Sequence, residues 1–367
     1  MSEMPSNAIP EEKLTAEVGW MAGSAVANCP QCKRLFLLPT QAENSLCPLC
    51  HRAELTSQTG YVRKEAPEAI IPLRLKSADL QKILSDFLAK TPYPEADLSV
   101  EKLMSRARVV YWPLWLVDAD LKGEWTATLG FDYQVKTAKE SFGHQGWQSL
   151  ERLRTQTNFE PRLGYLDRHY DNLTVAALRN QQKRFEQIGT YEMAESVAYQ
   201  SDMLASNSLQ LPEIEPQELL DVAKSKLTRL AEKEIIQAAA AQHHQNVQFN
   251  GDYLNLNWTQ MLMPLVSTSY QDEKGNVQTL VINGQSGKVY GRRLASIEKA
   301  KKWTLGLMSI PLFFLLVGIV LILSGVWLLI GLAFPVLLLL LLIGLALIPV
   351  IRANRWNRKE RAMEEFE

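Results

Sequence analysis

Between Trp303 and Ile351 the sequence has no Asp, Glu, Lys, Arg or His, a run of 49 residues. An apolar stretch of that length excludes a purely water-soluble protein. Elsewhere charge is plentiful but has no dominant sign. The 39 Lys and Arg against 40 Asp and Glu give a net charge of −1, which argues against a whole-chain polyanion binder. Cysteine is scarce, with four residues, and histidine numbers five. There is no H-E-x-x-H and no G-x-S-x-G, so zinc-protease and hydrolase-elbow chemistry have no residues to rest on. Met1–Leu14 has neither a basic n-region nor an apolar h-region, so a signal peptide is not expected there.

The uncharged run is too long for one crossing. A straight helix of 49 residues would extend about 74 Å, against a hydrocarbon core of about 30 Å. Two crossings fit, broken at Ser324-Gly325-Val326-Trp327, with helices expected at about Thr304–Ser324 and Leu328–Ile351. Pro311 and Pro335 then fall early in their helices, where a missing amide costs least. Lys288, Arg292, Arg293, Lys299, Lys301 and Lys302 precede the run, and Arg352, Arg355, Arg358, Lys359 and Arg361 follow it. Basic flanks face the cytoplasm, so a two-helix transmembrane hairpin with both ends inside is expected, with the lipid bilayer as one partner.

All four cysteines stand close together, as Cys29-Pro30-Gln31-Cys32 and Cys47-Pro48-Leu49-Cys50. Two C-x-x-C knuckles let four thiolates converge on a tetrahedral ion, so the expected cofactor is one structural Zn²⁺ in a zinc ribbon. Two disulfides would suit a secreted domain, but a reducing cytosol disfavours them. Cys47–His51 also matches a C-x-x-C-H haem attachment, a reading that strands Cys29 and Cys32. Zinc ribbons often carry Gly after each second cysteine, where this chain has Lys33 and His51. His51 is expected to face solvent on its knuckle.

The rest reads as α+β with mostly antiparallel sheet. Ser77–Lys90 carries Leu80, Ile83, Leu84, Phe87 and Leu88 at helical spacing, and Ser99–Arg108 is a second short helix. Val109–Val117 is an apolar strand that Pro113 marks as an edge or bulged one. Gly123–Thr137 alternates, with Trp125, Ala127, Leu129, Phe131, Tyr133 and Val135 on one face. Ser141–Thr174 continues the sheet and Leu178–Leu211 is helix or loop. Pro216–His243 is a long helix with Leu219, Leu220, Val222, Ala223, Leu227, Leu230 and Ile235 on its apolar side. Strands follow at Val247–Phe249, Tyr253–Trp258, Met261–Tyr270 and Val277–Asn283. The expected organisation is a disordered 1–27, a zinc ribbon at 28–56, a cytosolic α+β body at 68–298, transmembrane helices within 303–351 and a charged cytosolic tail at 352–367.

Few residues invite catalysis. Gly284-Gln285-Ser286-Gly287-Lys288-Val289 resembles a phosphate loop but lacks the Gly spacing and the Ser or Thr after Lys, so a hairpin turn is expected. His243-His244 reads as the close of a helix, where imidazolium is favoured. His144 and His169 stand alone. The aromatic strands could stack bases, but they alternate with small residues rather than with Lys or Arg, which favours core packing.

The order of parts resembles a family of uncharacterised bacterial zinc-ribbon membrane proteins. The resemblance rests on Cys29–Cys50, Ile70-Ile71-Pro72-Leu73, Tyr111-Trp112-Pro113-Leu114-Trp115-Leu116-Val117-Asp118-Ala119 and Ile282–Val289. Members are often labelled as related to primosomal helicase or to general-transcription-factor-type zinc ribbons, and some similar proteins lie near phage-shock and membrane-stress genes. The resemblance implies a recruiting role at the bacterial inner membrane and no catalytic residues. The expected function is therefore a non-enzymatic adaptor that holds a protein partner at the cytoplasmic face, with the ribbon separable from the body. A membrane-tethered nucleic-acid-binding ribbon is the alternative, disfavoured because Lys33, Arg34 and Arg52 are offset by Glu43 and Glu54.

Overall fold

The computed structural model describes residues 20, 23–42, 45–58, 65–144, 146–204, 207–323, 333–364 and 366. The chain divides into two compact units, Met1–Pro113 with Asn180–Leu211 and Leu262–Glu367, and Leu114–Arg179 with Pro212–Met261.

The first unit is built on β1 (Ser24–Asn28), β2 (Leu35–Pro39), β3 (Thr56–Ser57), β4 (Ala69–Ile70), β7 (Val197–Ala198), β8 (Ser208–Gln210), β10 (Val277–Asn283), β11 (Val289–Gly291) and parts of β5 (Arg108–Gly143) and β9 (His243–Gln271). The strand order is β11-β10-β9-β5-β8-β2-β1-β3, with β4 pairing β7 and β9. The β1–β2, β2–β8, β9–β10 and β10–β11 pairs are antiparallel, and β5 with β8 is parallel. Strand β1 begins inside the segment expected to lack structure, because Ser24–Asn28 pairs residue for residue with Leu35–Pro39.

Helices α1 (Ser77–Ala89) and α2 (Val100–Arg106) cover one face of this sheet, and α3 (Gln181–Ile188) belongs to the same unit. Their Leu80, Leu84 and Leu103 pack on Val266, Tyr270, Leu280 and Ile282. Ser99 caps α2 by accepting from the Lys102 amide. Lys76, not Ser77, is the cap residue of α1, and the Asp79 carboxylate accepts its amide. Pro113 does not mark an edge. It follows the last residues of β5 paired with β8, Val110 and Tyr111. It precedes Leu114, the first paired with β6 (Gly146–Ala176). Its missing amide thus falls where the strand changes partner.

Helix α5 runs Ile297–Leu323 and is followed by α6 (Ala333–Ala346) and α7 (Ile348–Ala362). Because α5 starts at the basic lead-in, Pro311 lies in its interior rather than in its first turn. The expected break at Ser324–Trp327 lies outside the described residues. Helix α5 is long and apolar enough to cross a membrane and almost none of its apolar length is buried; Leu337–Ala346 and Ile348–Ala362, bent by 42°, pass the same test as a pair. The charged segment after residue 351 continues as helix. Ala353, Asn357 and Glu360, spaced i, i+4, i+7, are buried, while Arg352, Arg355, Arg358, Lys359 and Arg361 stay exposed. The Ala295 amide donates to Asn357 Oδ1 at 2.7 Å and Asn357 Nδ2 donates to the Ala295 carbonyl at 2.8 Å. The two flanks of the apolar run therefore meet at one point of the body.

The second unit is a long hairpin of β5 from Leu114 with β6, the first part of β9, and α4 (Leu220–Ala238) preceded by a 3-10 turn at Pro216–Leu219. The three strands expected at Val247–Phe249, Tyr253–Trp258 and Met261–Tyr270 form one continuous β9, while Val277–Asn283 is a separate strand as expected. The apolar stripe of α4 is narrower than expected: Leu219, Ala223, Leu227, Ala231 and Ile235 are buried at i+4 spacing, whereas Val222 is 45 % exposed. The stripe packs on Trp115, Val117, Ala119, Leu121, Tyr170 and Val175. Strands β5 and β9 touch at Gly123 and Gly251, where a Cβ on Gly123 would lie 2.3 Å from the Gly251 Cα. His243 opens β9 instead of closing a helix, and its Nε2 lies 3.0 Å from Asp132 Oδ1.

Candidate metal centre

Two tight turns converge on one point. The first joins β1 to β2: Lys33 N donates to Cys29 O at 2.8 Å, and Cys32 N points at Cys29 Sγ at 3.4 Å. The second repeats the pattern: His51 N donates to Cys47 O at 3.1 Å, and Cys50 N points at Cys47 Sγ at 3.5 Å. Each turn needs a left-handed residue after its second cysteine, and Lys33 and His51 supply it at φ 56° and 53°. Those are the positions where glycine is commonest in such turns, because a Cβ is disfavoured there.

The four sulfurs lie within 4.8 Å of one another, with Cys29 Sγ to Cys50 Sγ at 3.6 Å and Cys32 Sγ to Cys47 Sγ at 3.8 Å. A tetrahedral ion at about 2.3 Å from each sulfur requires sulfur separations of about 3.8 Å. The donor set therefore fits a single tetrahedral thiolate-binding cation. Hydrogen bonds from Cys32 and Cys50, with burial, push the Cys47 thiol far above its ordinary range. Hydrogen bonds from Cys32 and Cys47 pull Cys50 far below it. Such a cluster does not hold four thiolates without a positive charge among them.

His51 does not face solvent. It is 9 % exposed and its Nε2 lies 2.9 Å from Ser267 Oγ on β9. The Ser267 hydroxyl donates to Leu49 O at 3.0 Å, so its one proton is committed and Nε2–H must be the donor in the His51 contact. Burial lowers the imidazole pKa to about 4, which agrees with a neutral ring. Thr279 Oγ1 donates to Cys50 O at 3.1 Å and Arg52 Nη2 to Val277 O at 3.3 Å. The second knuckle is thus seated on β9 and β10.

The first knuckle is tied in through its strands. Strand β2 pairs β8, and Leu37 joins Ile70, Tyr111, Leu209 and Leu262 in one buried cluster. The ribbon is part of the sheet, not an appended module. Sequence reasoning missed this seat, although Ser267-Thr268-Ser269 carries its signal. Three hydroxyls interrupt a buried strand, and buried hydroxyls need partners. Thr268 Oγ1 finds Leu103 O at 2.6 Å.

The remaining sites resolve into structure. Gly284–Val289 is the turn between β10 and β11, in which Asn283 Oδ1 accepts the Gln285 and Ser286 amides at 2.9 and 3.0 Å. Of the aromatics on the two strands expected to pack in the core, Trp112 and Trp115 are each 1 % exposed, whereas Tyr133 is 48 % exposed. No family model, curated protein or solved structure matches this chain. What it has in common with zinc-ribbon proteins is the four-cysteine cluster.

Proposed function

We propose that this protein is a membrane-anchored adaptor whose ribbon-bearing body holds a protein partner at the cytoplasmic face. The observation that carries the reading is the pinning of both flanks of the apolar helices to one point, Ala295 and Asn357, on the unit that holds the cysteine cluster. A chain that leaves and returns at one place, through 49 residues without charge, suits two crossings. The basic flanks suit a cytoplasmic body. Cys29, Cys32, Cys47 and Cys50 would hold one Zn²⁺, which cross-links the two turns. Four protein ligands leave no open position for substrate.

Two experiments test this. Reporter fusions at Met1 and Glu367 should both report cytoplasm, with a tag at Gly325 reached only from outside; ends on opposite sides would refute the hairpin. A detergent pull-down should capture a partner with the wild-type chain and lose it when Cys29 and Cys32 are replaced by Ser. A salt-dependent shift of nucleic acid by the same preparation, with no protein captured, would favour the tethered nucleic-acid binder instead.

A further inference from the structure

Met363, Glu364 and Phe366, which follow α7, make contacts back to the first unit. Arg292 Nε and Nη2 donate to Met363 O at 3.0 and 2.5 Å. Tyr290 Oη donates to Glu364 O at 2.9 Å, and Lys183 Nζ pairs with the Glu364 carboxylate at 3.0 Å. The Phe366 ring lies 6.4 Å from both the Trp112 and Tyr290 rings. The guanidinium of Arg184, itself 2 % exposed, sits 5.7 Å from the centres of both Phe366 and Trp112. Glu364 and Phe366 also line a pocket of about 290 Å³, together with Cys32, Cys50, Arg34 and Arg52 of the ribbon.

These contacts use two main-chain carbonyls, one carboxylate and one aromatic ring. Met363 is held by the end of α7, its amide donating to Glu360 O at 3.2 Å, but the Glu364 and Phe366 contacts use groups that any extended peptide with Glu two residues before an aromatic offers. The hold is also modest. The Glu364 side chain is 68 % exposed, and an exposed ion pair adds little to stability. Cationic and aromatic groups side by side are what a peptide carrying Glu and Phe requires.

We infer that this groove beside the cysteine cluster is a recognition site for an acidic–aromatic peptide of the Glu-x-Phe kind, filled in the resting chain by its own Glu364 and Phe366 and opened to a partner protein that displaces them. The inference rests on the adaptor reading and names the partner's chemistry. The tethered segment competes at a local concentration in the millimolar range, so a partner must bring further contacts, for which the pocket between the segment and the ribbon has room.

The test uses the full chain in detergent and a fluorescein-labelled peptide, Ala-Met-Glu-Glu-Phe-Glu. Glu364→Gln with Phe366→Ala should weaken the internal segment and strengthen peptide binding, read by anisotropy, about tenfold or more over wild type. The same peptide with Ala for Phe should not bind. No saturable binding to a variant whose near-ultraviolet circular dichroism is native would overturn the site, as would equal binding of the Ala-substituted peptide. If the double variant does not fold, Glu364→Gln alone serves, with a smaller gain expected and no gain counting against the proposal. A partner captured equally with and without excess peptide overturns this site and leaves the adaptor reading standing. Peptide binding by the opened variant with no partner captured supports the site and removes the adaptor.

Discussion

Ala295 and Asn357 exchange two hydrogen bonds, of 2.7 and 2.8 Å, across 62 residues of chain. The side-chain amide of Asn357 copies the donor and acceptor of a strand neighbour and satisfies both backbone groups of Ala295, which is fully buried. Trp356 Nε1 donates to Arg293 O at 2.7 Å just beside it. Arg293 in turn stacks on Phe87 and Trp356 at 4.6 and 5.1 Å.

Asn357→Ala should therefore orphan a buried amide and a buried carbonyl, at a cost of about 2–4 kcal/mol. Trypsin cleavage between Arg352 and Arg361 should accelerate as the end of α7 comes away, while metal content stays unchanged. Unaltered proteolysis would show that α7 is held by other contacts.

Purified protein should contain about one Zn²⁺ per chain, from four thiolate ligands. Cys47→Ser should abolish it. Since β2 pairs β8 and Leu37 lies in the core, removing Cys29–Cys50 should also lower the stability of the whole first unit. Thermal denaturation followed by circular dichroism distinguishes this from loss of a separable module, which would leave the body's transition in place.

Gly123→Ala should be strongly destabilising, because its Cβ has no space against Gly251 and the strands must part. Overpacking of this kind costs about 1–3 kcal/mol. Gly143→Ala meets nothing within 4 Å and is the matched control; equal melting temperatures for the two variants would contradict the close approach.

Glu95 is 5 % exposed. Burial, and then the neighbouring Glu273 carboxylate, raise its pKa to about 7. Glu273 itself caps α5, accepting the Glu298 amide at 3.0 Å and contacting the Ser296 hydroxyl. A carboxyl whose folded pKa is raised holds its proton better folded than unfolded, so its contribution is present below its ordinary pKa of 4.5 and fades as pH rises through about 7. Glu95→Gln should leave stability near pH 4.5 little changed and raise it above pH 7, measured as the difference in denaturation midpoint between the two pH values. A difference of the opposite sign would place Glu95 among paired carboxylates.

The clustering of the four cysteines, the uncharged run, the helices α1, α2 and α4 and the turns at Asp272 and Asn283 were legible along the chain, because each depends on neighbours a few residues away. Cysteine spacing carries the ligand set, and periodicity carries a helix face. Other features are pairings between distant residues and leave little local trace. The burial of His51 depends on Ser267, 216 positions on. The strand in place of a helix end at His243 depends on β5, where the Gln242 amide finds Gly130 O at 3.1 Å. The seating of Glu364 and Phe366 depends on Trp112, Arg184 and Tyr290. Local sequence alone determined that the chain has a cysteine cluster and a long apolar run. Only the tertiary structure decided that the cysteine-bearing strands form an edge of the main sheet and that Glu364 and Phe366 fold back onto the same unit, because strand partners and buried polar groups are chosen by what the rest of the fold leaves unsatisfied.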